Sequence, residues 1–168
     1  MSSGADVADL ARANDARHIH LPGNPPTGAM RNAGCEVARG AVVAHFDDDD
    51  WSHAERLNDC LRRMFESGRS VCGYSSMRFT DGERWWLYRG AANYALGTSL
   101  VYRRDWWANN RFLDLRIDED GHFVRRAARL SQLATSDAGE MMWATIHRGN
   151  TSPRQLSKRE WTPIEVTR

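Results

Sequence analysis

With 168 residues, 41% of them apolar, the chain is long enough for one domain with a real core and too short for two comfortable ones. The formal net charge of +1 comes with basic residues scattered along the chain, so no electrostatic footprint for nucleic acid exists and no nucleic-acid partner is expected. Three cysteines without CxxC or Cys/His spacing suggest neither a disulfide framework nor zinc, and no apolar run approaches the roughly 18 residues of a membrane span, so a cytoplasmic protein without signal peptide or anchor is expected.

In chain order, residues 6–14 read as a short amphipathic helix with Asp6 as its cap. His18-Ile19-His20-Leu21 reads as a strand, stopped by Pro22-Gly23-Asn24-Pro25-Pro26. Thr27 is placed to cap a second helix whose positions Met30, Ala33, Gly34 and Val37 suit close packing on a sheet, and Gly40 follows its end. Next, Ala41-Val42-Val43-Ala44-His45-Phe46 is a nearly continuous apolar strand that breaks into Asp47-Asp48-Asp49-Asp50-Trp51. Ser52-His53-Ala54-Glu55 has capping-box spacing and opens a helix with the stripe Ala54, Leu57, Cys60, Leu61, Met64 and Phe65, ended by Gly68.

Residues 71–79 read as a strand, and Asp81-Gly82 turns it into a hairpin with residues 85–88. A strand over residues 95–102 follows. Asp118-Glu119-Asp120 leads into a helix with Phe123, Val124, Ala127, Ala128 and Leu130 on one face, and residues 141–146 read as a late strand before the polar loop His147-Arg148-Gly149-Asn150-Thr151-Ser152. The chain then divides into a domain over 1–152 and a loosely ordered tail over 153–168. Strand and helix alternating in this rhythm predict an α/β fold with parallel strands, whose ligands collect beyond the carboxyl ends of the strands.

Four adjacent carboxylates after a buried strand repel one another and call for a cation, and a hard divalent metal such as Mg²⁺ or Mn²⁺ suits them because it shares its coordination with substrate phosphates. Helix-dipole stabilisation accounts for one or two such acids, not four. An EF-hand started at Asp47 lacks the glycine at loop position six and the closing glutamate. The second acidic cluster, residues 118–120, suits either a helix start or a general base for a hydroxyl. His147 alone reads as a surface or satisfied histidine before a ligand, Arg31 and Asn32 either hydrogen-bond a phosphate or face solvent, and the pairs Trp85-Trp86 and Trp106-Trp107 read as core packing before stacking on sugar rings.

Taken together, these pieces resemble the family 2 glycosyltransferases. Arg31-Asn32-Ala33-Gly34, Ala38-Arg39-Gly40 and Asp47-Asp48-Asp49-Asp50-Trp51 are similar to that family's ARNxG, AxG and DxDD sequence. Gly97-Thr98-Ser99-Leu100-Val101-Tyr102 is similar to its acceptor-side strand, Phe112, Asp114, Glu119, Asp120, Phe123 and Arg126 match its FxD…EDxxFxxR segment, and residues 147–152 match its late HxxNTS loop.

The resemblance implies a GT-A-like, mostly parallel sheet flanked by helices and a transfer of sugar, with inversion, from a nucleotide-diphosphate sugar to an acceptor hydroxyl. By matching positions it implies Asp47 and Arg31 on the donor side, Asp49 and His147 holding Mn²⁺ or Mg²⁺, Asp120 as the base, and Glu119 and Trp51 toward the acceptor. Family members begin with a βαβ portion ending in a DDGSTD-like turn, of which only the end has a counterpart near Met1-Ser2-Ser3-Gly4-Ala5-Asp6. The expected sheet therefore has an open edge that a homo-oligomer would cover. A sugar- or nucleotide-binding relative without turnover is the rival reading, and a protein whose acids only cap helices is the third.

Overall fold

The computed structural model describes residues 4–150 and 156–166. In chain order its elements are α1 (Gly4–Ala13), α2 (Thr27–Val37), β1 (Val42–Ala44), β2 (Trp51–Ser52), α3 (Arg56–Ser67), β3 (Val71–Thr80), β4 (Trp85–Arg89), β5 (Val101–Arg103), α4 (Arg104–Asn109), α5 (Glu119–Arg129), β6 (Leu133–Asp137), β7 (Met142–Thr145) and β8 (Trp161–Ile164). The α/β class stands.

Strand β3 is the spine. Val71 and Cys72 pair with β5 on one flank and β6 on the other, while Arg78, Phe79 and Thr80 pair with β4 and β7. The sheet continues from β5 to β1 and from β4 to β8, with β2 paired to β7. Strand directions are mixed rather than mostly parallel: the pairings of β6 and β7 with β3 are parallel, and the other pairings among the described strands are antiparallel. The reason is local. The tight turn at Asp81 and Gly82 forces β4 antiparallel, and the chain from β4 to β5 returns without a crossover helix.

Alternation along the strands sends side chains to two cores. Cys72, Tyr74, Phe79, Val101 and Ala134 pack with Cys60 and Met64 of α3 on one face, while Val71, Leu100, Tyr102 and Leu133 pack with Cys35, Trp107, Phe112, Phe123 and Val124 on the other. All three cysteines are buried and free.

Several local expectations are corrected. Residues 18–21 form no strand. Thr27 makes no helix cap; its hydroxyl donates to the Arg116 carbonyl and the Gly28 N–H to that of Leu115, so α2 begins docked against a distant segment. Within α2 it is Gly28 and Cys35 that are buried, with Met30 and Val37 exposed. Ser52 belongs to β2, not to a capping box, because its backbone pairs with Met142. Helix α3 turns Arg56, Cys60 and Met64 inward, leaving Leu57, Leu61 and Phe65 in the adjacent exposed column. Gly68 ends that helix in the left-handed conformation, as its position suggested. Residues 97–99 form a 3₁₀ turn, so the strand expected from 95 shortens to β5. Far from being loose, residues 161–164 form β8 on β4. The Asp6 cap and the Thr151 and Ser152 part of the late loop fall outside the side chains described.

Candidate active site

Strand β1 delivers the chain to its acidic loop, and Asp50 pins that loop in place. One Asp50 oxygen accepts the Thr145 N–H at 2.9 Å and the other accepts the Thr98 hydroxyl at 2.6 Å, tying the loop to β7 and to the 3₁₀ turn. Burial raises the Asp50 pKa, and these two donors pull it back. The Thr145 hydroxyl also donates to the Asp49 carbonyl. With Asp50 committed to structure, Asp47, Asp48 and Asp49 are the loop acids that line the cleft; donor atoms of Asp47, Asp49 and Asp50 lie within 4.8 Å of one another.

From the far side of β7, His147 reaches Asp49 with Nε2 at 2.6 Å from Oδ2. The Gly149 N–H donates to His147 Nδ1 at 3.0 Å, which puts the neutral ring's proton on Nε2 and directs it to the Asp49 carboxylate. Asn150 closes the loop, accepting the His147 N–H and donating to the Thr145 carbonyl.

The opposite wall is the start of α5. Asp118 precedes it with φ of 68°, its carboxylate held by Arg125 at 2.6 Å. The Asp120 carboxylate accepts the Gly121 N–H at 2.7 Å and lies over Gly97. Glu119 is 4% exposed and ion-paired with Arg31 at 3.0 Å. Burial raises the Glu119 pKa, the neighbouring Asp120 charge adds to that, and Arg31 opposes it. Behind Arg31 stands buried His45, whose Nδ1 lies 2.9 Å from the Gly97 carbonyl and whose Nε2 lies 3.1 Å from the Tyr102 hydroxyl. Burial, with Arg31 beside it, pushes the His45 pKa down to about 3, so the ring is neutral; its Nδ1 stands between the Gly97 carbonyl, which can only accept, and Arg31 Nη1, which can only donate.

These walls enclose a cleft of 920 Å³ lined by Arg31, Asp47, Asp49, Glu119, Asp120 and His147, six of the seven residues singled out from the sequence. Trp51 is not among them: it stacks on Trp143 with ring centroids 3.8 Å apart, because β2 and β7 place the two indoles opposite each other. Half-buried Asn32 commits its side-chain amide to the fold. Its side chain accepts from Trp107 Nε1 and the Phe112 N–H and donates to the Phe112 carbonyl, fixing the segment before α5. Trp86 and Trp107 are buried in the fold.

The cleft also holds Tyr94, Arg116 and Lys158, the chain's one lysine, which the sequence reading passed over, together with Asp118 of the second acidic cluster and Gly97 and Thr98. Gly97 and Thr98 were visible as a motif, whereas Lys158 sat in a tail without pattern.

A curled mixed sheet with helices on both faces and an acidic loop past β1 is the GT-A glycosyltransferase fold. S. aureus TarS 1-349 in complex with UDP-GlcNAc matches with a TM-score of 0.67 over 88% of this chain and 47% of that one, at 20% identity. Glucosyl-3-phosphoglycerate synthase from Mycobacterium tuberculosis, in complex with phosphoglyceric acid, matches with a TM-score of 0.60 over 89% and 59%, at 15% identity. The chain belongs to glycosyl transferase family 2, whose model matches residues 4–129. Putative glycosyltransferase EpsH of Bacillus subtilis (strain 168) is 35% identical over 74 residues, 42% of this chain and 21% of EpsH. The chain thus spans about half the length of the TarS structure and less of EpsH. Among the described residues, no helix is long and apolar enough to cross a membrane.

Proposed function

We propose that the chain transfers a sugar, with inversion, from a nucleotide-diphosphate sugar to an acceptor hydroxyl in a metal-dependent reaction. One observation carries this reading: the acids Asp47, Asp48 and Asp49 stand across one cleft from Asp118, Glu119 and Asp120, against only Arg31, Arg116 and Lys158 as lining cations. An anionic diphosphate enters so acidic a cleft only with added positive charge.

The donor set fits a hard divalent ion. Asp47 and Asp49 offer carboxylate oxygens, and His147 offers Nε2 once its proton moves to Nδ1 at the expense of the Gly149 bond. Mn²⁺ or Mg²⁺ held there supplies charge that stabilises the departing diphosphate. Asp120 takes the proton from the acceptor hydroxyl as the new bond to the anomeric carbon forms and the bond to the diphosphate breaks on the opposite face. Glu119, clamped by Arg31, fixes the start of α5 and so the aim of Asp120. Arg31, on the cleft side of that clamp, and Lys158 supply hydrogen bonds and charge to the donor's phosphates.

The test is release of nucleoside diphosphate from a panel of sugar nucleotides with Mn²⁺ and with Mg²⁺. Asp120→Asn is expected to lower turnover by roughly 10²–10⁴-fold with nucleotide binding retained, and Asp49→Ala to weaken Mn²⁺ binding by about tenfold or more. Turnover that survives both substitutions overturns the mechanism.

A further inference from the structure

Arg56 is the most deeply buried charge in the described chain. It is 0% exposed, and among the described residues no carboxylate forms an ion pair with it. Its Nη1 donates to Ser52 Oγ at 2.9 Å, and its Nη2 to the His45 carbonyl at 2.7 Å and the Thr98 carbonyl at 3.1 Å. The guanidinium carbon lies 4.4 Å from the centroid of the Phe46 ring, and Nε is buried with no partner. A cation so placed is costly unless negative charge lies near.

The position of its partners says where that charge is. His45 and Phe46 lead into the acidic loop, Ser52 leaves it, and Thr98 holds Asp50. Arg56 therefore sits at the base of the loop, gripping both of its ends. Burial lowers the Arg56 pKa, and Cys60, Tyr74, Asp47 and Asp50 act the other way, favouring the protonated guanidinium.

We propose that Arg56 is the acidic loop's resident counter-charge, a fixed guanidinium at the base of the loop that offsets part of the repulsion among its carboxylates without a bound cation and thereby limits how tightly the loop binds one. The proposal rests on the reading of Asp47 and Asp49 as cation ligands. It also explains why an arginine, not an aliphatic residue, faces inward at the start of α3: the charge is needed where the loop turns. A purely mechanical role for the same contacts predicts the opposite effect of removal, since a loosened loop binds a cation less well.

The test is calorimetric titration of Mn²⁺ into the wild-type chain, Arg56→Lys and Arg56→Met. Arg56→Met is expected to bind about tenfold more tightly, because a positive charge that repels the ion through a poorly screened interior is gone. Arg56→Lys, which keeps the charge, is expected to stay within about threefold of wild type. Equal or weaker binding by Arg56→Met, with wild type binding, overturns the counter-charge and leaves the cation site standing. Binding by Arg56→Met alone supports the counter-charge and overturns the cation reading of the wild-type loop; binding by neither overturns both. Should Arg56→Met fail to fold in metal-free buffer, its thermal transition is followed with Mn²⁺ and in an Asp47→Asn background. Recovery of a cooperative melt in either supports the proposal, and recovery in neither overturns it.

Discussion

Gly97 shows how a missing side chain can make room for the carboxylate proposed as the base. A Cβ at this position would overlap Asp120 Oδ2 and come within 2.6 Å of its Cγ. The Gly97 carbonyl meanwhile lies 2.9 Å from His45 Nδ1, so the backbone there cannot shift freely. Gly97→Ala is expected to push the Asp120 carboxylate off its line and lower nucleoside diphosphate release about 10²-fold, with melting still cooperative; unchanged release would remove Asp120 from the mechanism. At this scale the acids were legible because clustered carboxylates announce themselves in composition. Gly97, Arg56 and His45 were not, since their importance lies in what they touch across 23 to 52 positions of sequence: Gly97 meets Asp120, Arg56 meets Thr98, and His45 meets Gly97.

Among the elements, the seating of α2 decides where the start of α5 stands. The Gly28 N–H donates to the Leu115 carbonyl at 3.0 Å, and a Cβ on Gly28 would overlap the Leu113 carbonyl oxygen and approach within 3.3 Å of Glu119 Cβ. Gly28→Ala is expected to cost about 1–3 kcal/mol, read as a lower denaturation midpoint with an unchanged slope; an unshifted midpoint refutes the close seating. Helix periodicity and the Asp81-Gly82 turn made α2, α3, α5 and the β3–β4 hairpin readable in advance. Two-residue β2 and polar β6 carry too little pattern to read, and the alternation at residues 18–21 lacks the partner that would make it a strand. The inward column of α3 was misread because a buried arginine looks polar in sequence and apolar columns look inward.

For the molecule as a whole, the strongest titration is that of His45. Its native pKa, near 3, lies below the ordinary value of 6.5, so between these pH values the unfolded chain binds a proton that the native chain refuses. Stability contributed by the neutral ring is complete above pH 6.5 and drains away as pH falls toward 3, with a slope of up to about 1.4 kcal/mol per pH unit. Asp50 and Glu119, whose pKa values are raised, act in the opposite sense, gaining stability as acid protonates them. Denaturant melts of wild type and His45→Asn at pH 7, 6 and 5 separate the terms: the difference in stability between the two should shrink as pH drops, and a constant difference would mean that folding leaves the His45 pKa unshifted. The α/β class and the family were legible from ordered motifs, whereas strand direction was not, because the pairing partners of a strand are set by three-dimensional return paths.

The double-sided pairing of β3 has a kinetic consequence. Its ten residues are flanked by β5 and β4 on one side and by β6 and β7 on the other, so no single neighbour can peel away and take it along. Hydrogen exchange at its central amides must wait for rupture of the whole sheet, while β1 and β2, short and remote from that spine, can open on their own. The acidic loop hangs between those two short strands. The chain can thus loosen the segment that would admit and release a ligand without putting its native topology at risk.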